Sequence, residues 1–389
     1  MSSYKISTPP PPTPALSPDY DAEQYHHYIP IETSLHYILL KIGGAISCIS
    51  SFLLARHILK KKWVDISLPS MMLFGISVMD VIGSFFGYVM GLWMSGEGIL
   101  YIQSGPLIAG NTQTCTAQGF ILTFAFTYFL TAYAGLGALY YLMVKRGWTK
   151  NQLKSNKIRA AFLLPPVIAA LLMSVPPLFY QMYNPSLFQC TLNQYPNNCE
   201  NIPDVPCTRG ENALIVQRAT LMYALVCNLI VIVFMVLLIF SVYSQEKKSD
   251  KYLFKGQEKN RDNTTSTAWQ GVRYAAALTI PYLPLYVFLG YMLDDHRAMG
   301  NTSLVFWLYL NVILTPLLGF NNACVYFYPR YKAYRKSNED KSKFQCVCDT
   351  VGIGLPWKSY WTSGANSDSN LTEPLVDDSG DGGGSGHVI

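Results

Sequence analysis

Charge is what this 389-residue chain has least of. Only 14% of its residues are Asp, Glu, Lys or Arg, while half are hydrophobic; a soluble protein carries about 25% charged residues. The apolar residues lie in long blocks between short charged stretches, which is the pattern of a multi-spanning membrane protein rather than a soluble one. Other absences narrow the class further. Alternating ten-residue strands are missing, which argues against a β-barrel. The six histidines (His26, His27, His36, His57, His296 and His387) include none deep in an apolar block, so a metallohydrolase site is not expected. No Walker, Rossmann or kinase motif occurs, and Gly380–Gly386 has neither strand nor helix to frame it as a phosphate loop. No internal repeat of the transporter kind is visible. The last apolar block lacks a lysine for a retinal Schiff base. The sequence thus calls for no enzyme, no metal and no cofactor. A cleavable leader is also not expected, because the first 30 residues are polar and Pro9 to Pro12 with Pro14 favour an extended polyproline conformation.

Seven segments have the roughly 20 apolar residues needed to cross a bilayer. They are Ser34–Leu59, Leu68–Met94, Cys115–Val144, Arg159–Tyr180, Ala213–Ser244, Val272–Met292 and Ser303–Tyr328. The fold class expected is therefore an all-α membrane protein, a seven-transmembrane helix bundle. Placing the N-terminus outside puts 24 of the 29 Lys and Arg in inner segments. Only Lys5, Arg209 and Arg297 then lie outside, and Lys41 and Arg218 fall within spans. That asymmetry sets the orientation as N-out and C-in. The net charge of +5 is accounted for the same way, so nucleic acid is not a partner and the lipid bilayer is. The chain divides into a disordered Pro-rich exterior stretch (1–33), the bundle (34–328), an amphipathic membrane-surface helix (329–344) and a disordered cytoplasmic tail (345–389).

Cys115, Cys190, Cys199 and Cys207 fall on the outer side, where disulfides persist. Four cysteines allow three pairings. The short Cys199–Cys207 separation favours a local loop and leaves Cys115 for Cys190. Cys346 and Cys348 follow the basic stretch after the last span and are palmitoylation candidates. Asn301-Thr302-Ser303 is a glycosylation candidate on the outer side.

Within the spans, Asp80 stands out. A carboxylate at the bilayer centre costs about 2.5–3.5 kcal/mol on insertion scales, so it must face the bundle interior and find partners. Asn321 and Asn322 are the expected partners, with Tyr326 four residues on from Asn322 and on the same helix face. The four form a candidate switch network or a static polar glue. Lys41 and Arg218 are candidates either for snorkelling to the interface or for lining a ligand cavity. Pro329 is expected to open the amphipathic helix, since proline suits a first turn.

Four pieces carry a family resemblance. "CTAQGF" begins at Cys115, "GALYYLMVKRGW" ends the same span, "SVMD" ends at Asp80, and "GFNNACVYFYPRY" starts at Gly319. Together they resemble the seven-helix G-protein-coupled receptors, closest to the cyclic-AMP-receptor-like branch. The resemblance covers about Ser34 to Lys343. It departs from the rhodopsin-like branch at Lys145-Arg146-Gly147-Trp148, where that branch has Asp/Glu-Arg-Tyr, and at Asn322-Ala323-Cys324-Val325-Tyr326, where it has Asn-Pro-x-x-Tyr. It implies an extracellular ligand of unknown identity, a heterotrimeric G protein at the inner face, and Lys145 and Arg146 facing that partner. The alternative is a seven-helix transporter or scaffold without G-protein signalling.

Overall fold

A 35-residue helix, Thr112–Arg146, forms the axis of the molecule. Its start is fixed by Asn111, whose side chain accepts from the amides of Gln113 and Thr114 while Thr114 returns a hydroxyl to the Asn111 amide. Its end is fixed by Gly147 in the left-handed region at φ 60°. The computed structural model describes residues 33–60, 66–95, 109–148, 150–186, 189–196, 199–201, 206–252, 269, 271–277, 279–284, 286–287 and 302–352. Asn301, residues 1–32 and the tail beyond residue 352 lie outside them.

In chain order the long helices are α1 (Thr33–Leu59), α2 (Leu68–Ser84), α3 (Thr112–Arg146), α4 (Asn156–Ser174) and α5 (Ala213–Tyr252). The described pieces of 271–287 are helical and constitute α6. Then come α7 (Thr302–Leu314), α8 (Leu318–Lys336) and α9 (Lys343–Val351). A 3₁₀ turn at Thr315–Leu317, holding Pro316, joins α7 to α8. Six helices among the described residues are long and apolar enough to cross a membrane. The chain is a multi-pass, all-α membrane protein.

The helices pack by small residues and aromatic rings. In lipid there is no hydrophobic force between helices, so close backbone approach carries the packing. Tyr88 lies against Gly44 and Tyr128 against Gly75, positions a larger residue would fill. One buried cluster joins Leu54 and Ile58 of α1, Met72 and Ile76 of α2, Tyr133 and Leu136 of α3, and Tyr326 of α8. The outward faces carry bare apolar side chains, such as Leu164, Ile168 and Leu172 on α4 and Met222, Leu229, Val236 and Phe240 on α5. Close approach at small residues inside, with large apolar side chains left bare on the outside, is what a lipid solvent selects.

At one end, β1 (Tyr183–Pro185) and β2 (Cys190–Leu192) form an antiparallel hairpin over the helices. Disulfides join Cys115 to Cys190 and Cys199 to Cys207, the pairing that the short local separation favours. The first closes a loop of 75 residues, worth about 4–5 kcal/mol in the chain-entropy estimate.

The other end departs from expectation. No new helix opens at Pro329; α8 runs through it to Lys336. Proline removes a single helical donor, and the turns around it are held by buried Tyr326 and Phe327 and by Arg330, whose Nη1 donates to the Tyr326 carbonyl at 2.9 Å. The chain breaks only after Lys336 and restarts at Ser342, which forms a capping box with Gln345. The expected 329–344 surface helix is thus two elements, and 345–351, expected as disordered tail, is helix capped by Gly352. α9 folds back, with Asp349 accepting from Tyr334 at 2.9 Å and from Lys341 at 3.3 Å. The Tyr334 hydroxyl first, and Asp349 after it, push the Lys341 ammonium above its ordinary pKa. Cys346 and Cys348 are buried by this fold-back, so neither thiol is presented for acylation as the sequence suggested.

Candidate ligand cavity and polar core

Asp80 is buried in the middle of the bundle, as a lone charge in a span must be. Its partners are not the expected asparagines. Oδ2 accepts from Ser51 at 2.7 Å and Ser47 at 3.1 Å, both on α1. Ser47 Oγ also accepts from the Gly319 amide at 2.7 Å, tying α8 into the same knot. Gly319 sits so close that any Cβ there would overlap Asp80 Oδ2 and the hydroxyls of Ser51 and Ser47. Three helices therefore meet at one carboxylate.

Asn322 is 1% exposed, yet neither atom of its amide is hydrogen-bonded. The Tyr133 hydroxyl of α3 lies opposite it, near enough to interact with that amide but not aligned as a full hydrogen bond. Asn321 is only half buried and does not join the carboxylate. Tyr326 is buried toward the basic end, where the Arg330 guanidinium covers its ring at 3.8 Å and His57 of α1 meets it edge-on at 5.7 Å. The four residues grouped by the sequence thus split into an Asp80 knot and a separate Asn322–Tyr326 stretch.

A cavity of about 220 Å³ opens above Asp80 toward the hairpin. Its walls are Ser84 and Tyr88 beyond Asp80, Thr123, Phe126 and Phe129 of α3, Gln217 and Thr220 of α5, and Tyr282 of α6. Gln189, Thr191 and Leu192 of the hairpin lie at its upper rim, and Thr315 and Leu318 near its base. Where α2 ends, the helix loosens into a π turn, with the Met90 amide reaching back five residues to Phe85 at 2.8 Å. Such turns gather at functional sites. Here it follows Ser84 and sets Tyr88 at the cavity.

Lys41 and Arg218 do not line this cavity. Arg218 is exposed on the outside of α5 and Lys41 is half buried on α1. Lys145 and Arg146 are exposed on the last turn of α3, at the opposite end of the molecule from the hairpin.

Sequence reasoning missed Gln118, which is 0% exposed. Its amide nitrogen donates to the carbonyls of Phe86 and Gly91 at 2.7 and 2.8 Å. Its oxygen accepts from the Cys190 amide at 2.9 Å and from Ser95 at 3.2 Å. One side chain thus joins the π turn, α3 and the disulfide-bound hairpin above the cavity. Each buried group left unpaired costs about 1–3 kcal/mol. Gln118→Leu is therefore expected to lower the unfolding temperature in detergent clearly, and an unchanged temperature would show that the four bonds carry no stability.

No family profile matches the chain, and no curated protein matches it.

The basic end holds one further contact that bears on motion. Tyr140 of α3 stacks on Tyr274 of α6, rings 6.3 Å apart and 13° from parallel. Gly271, one turn before Tyr274, leaves just enough room for Tyr140 and for Leu238 of α5. This junction seats α6 against α3 and α5.

Proposed function

We propose that this protein is a seven-helix G-protein-coupled receptor of the plasma membrane, with its N-terminus outside and its C-terminus in the cytoplasm. The hairpin end faces the exterior, in keeping with its disulfides, and the end bearing Lys145 and Arg146 faces the cytosol, in keeping with the distribution of Lys and Arg. The observation that carries this assignment is the cavity beneath the disulfide-pinned hairpin. Its floor is the one carboxylate at which α1, α2 and α8 are joined.

A ligand entering from the exterior meets α3, α5 and α6 together and changes their spacing. Asn322 and Tyr133 face each other in the present arrangement without a fully aligned hydrogen bond, so a shift that aligns them would favour a second arrangement. Below them, separation of Tyr274 from Tyr140 swings α6 from α3 and opens the inner face to a heterotrimeric G protein. α5 contributes there too, because its 40 residues span about 60 Å, well beyond the roughly 30 Å of hydrocarbon.

Asp80→Asn keeps the shape of the knot and removes its charge. It is expected to alter G-protein activation more than surface expression; loss of expression with unaltered signalling per receptor would make the knot structural glue only. The assignment itself is tested with the full chain in lipid nanodiscs and purified heterotrimers of each class. Nucleotide exchange above that of empty nanodiscs is expected for at least one class. No exchange with any class, together with solute flux in proteoliposomes, would replace the receptor by a transporter.

A further inference from the structure

The cavity's lining defines the chemistry of what it takes. Among the described residues, neither Lys nor Arg lines it. Apart from Asp80 at its base, its polar groups are neutral: serine, threonine and tyrosine hydroxyls, Thr123, Thr220 and Thr315 among them, and the amides of Gln189 and Gln217. A phosphate or carboxylate placed here would lose its water and find no counter-charge, and burying an ion without a partner is prohibitive.

The hydroxyls have a direction. Thr220 gives its proton to the Val216 carbonyl at 2.9 Å. Thr315 is turned toward the Pro281 carbonyl at 3.4 Å and toward Asn311 Oδ1. With their protons directed at helix acceptors, these oxygens offer lone pairs to the cavity. A ligand that brings donors is met by these oxygens, and the amides of Gln189 and Gln217 can serve either sense. The remaining wall is aromatic, from Tyr88, Phe126, Phe129 and Tyr282, and suits a flat or apolar body. Among the described residues the one carboxylate in the lining is Asp80, at the base, where Ser47 and Ser51 donate to Oδ2 and Ser84 also hydrogen-bonds it, so bundle hydroxyls already engage it.

We infer that the ligand is a small uncharged molecule with hydroxyl or amide donors on an apolar or aromatic body, and that anionic ligands, cyclic nucleotides included, are excluded. This rests on the receptor assignment only for which side of the membrane the mouth faces.

The test uses three methanethiosulfonate reagents as probes: neutral (hydroxyethyl), cationic (trimethylammonioethyl) and anionic (sulfonatoethyl). They are added to intact cells expressing Thr220→Cys or, from a different helix, Thr123→Cys. Each rate is divided by the rate of the same reagent at the exposed Glu211→Cys, after subtracting the background from the five unpaired cysteines of the parent chain. The neutral reagent is expected to react at both positions, the anionic one about a hundredfold more slowly because its charge must be desolvated unpaired, and the cationic one no faster than the neutral. An anionic rate equal to the neutral rate overturns the inference. So does a cationic rate above the neutral one, which would make Asp80 a cation site. So does absence of any reaction at both cysteines in protein that reaches the cell surface, since the cavity would then be closed to the exterior. Labelling needs no G protein, so failed nucleotide exchange leaves this result standing, and failed labelling leaves the exchange result standing.

Discussion

Gly319→Ala is expected to abolish delivery of the protein to the cell surface. The added methyl group occupies the space of Asp80 Oδ2 and of the Ser47 and Ser51 hydroxyls. None of these is the loose end of a flexible chain. Each is short, buried and hydrogen-bonded to another member of the knot. Relief requires moving α8 away from α1 or stripping the carboxylate of its donors. Overpacking alone costs about 1–3 kcal/mol, and breaking the hydrogen bonds of a buried charge adds about 3–5 kcal/mol. Against a net stability of about 5–15 kcal/mol, that is enough to unfold the protein. The same change in an Asp80→Ala background should cost far less, because the carboxylate is gone and the Ser47 and Ser51 hydroxyls, no longer held by it, can rotate away from residue 319. Residues in contact are not additive in this way by accident. Equal costs in the two backgrounds, measured by surface expression and by unfolding temperature in detergent, would mean that Gly319 and Asp80 do not share the site described.

Gly271→Leu should do the opposite to signalling: it should raise nucleotide exchange in the absence of ligand. A leucine there must displace Leu238 and press on Tyr140, lifting Tyr274 from its stack. The strain exists only while α6 is seated. A penalty of about 1–3 kcal/mol on the seated state alone raises the open population about 5- to 150-fold. Surface expression should change little, because α6 still has an open arrangement to occupy. Basal exchange unchanged per receptor, with the variant properly expressed, would show that the Tyr140–Tyr274 stack does not hold the inner face shut.

Six of the seven expected spans are found among the described residues, the seventh, Val272–Met292, lying partly outside them; they were legible because lipid imposes a strong and local rule: about 20 apolar residues and few charges. Asp80 was legible for the same reason, as a violation of that rule. Its true partners were not. Ser47 and Ser51 resemble any other serine in an apolar helix, and Gly319 any other glycine. What brings them to the carboxylate is the rotation and contact distance of α1 and α8, which hydropathy does not encode. Asn322 was correctly marked as buried and polar, but adjacency in type was mistaken for adjacency in space. Lys41 and Arg218 failed as cavity residues on the same ground: depth along a helix is readable, the facing of its side chain much less so. Gln118 lay in plain view in "CTAQGF", yet three of its four bonds run to backbone groups far along the chain, and backbone partners leave no mark on composition. The helix 343–351 was hidden for a different reason. It is only nine residues long, and its stability comes from docking through Tyr334, Lys341 and Asp349 rather than from its own pattern.

Everything functional depends on the hairpin and the basic end facing opposite sides of the membrane, and so on an odd number of crossings. The direct measurement places one epitope tag at each terminus and stains cells before and after permeabilisation. The amino-terminal tag should stain on intact cells and the carboxy-terminal tag only after permeabilisation. Both tags staining on intact cells, or both only after permeabilisation, would mean an even number of crossings and would contradict the receptor account.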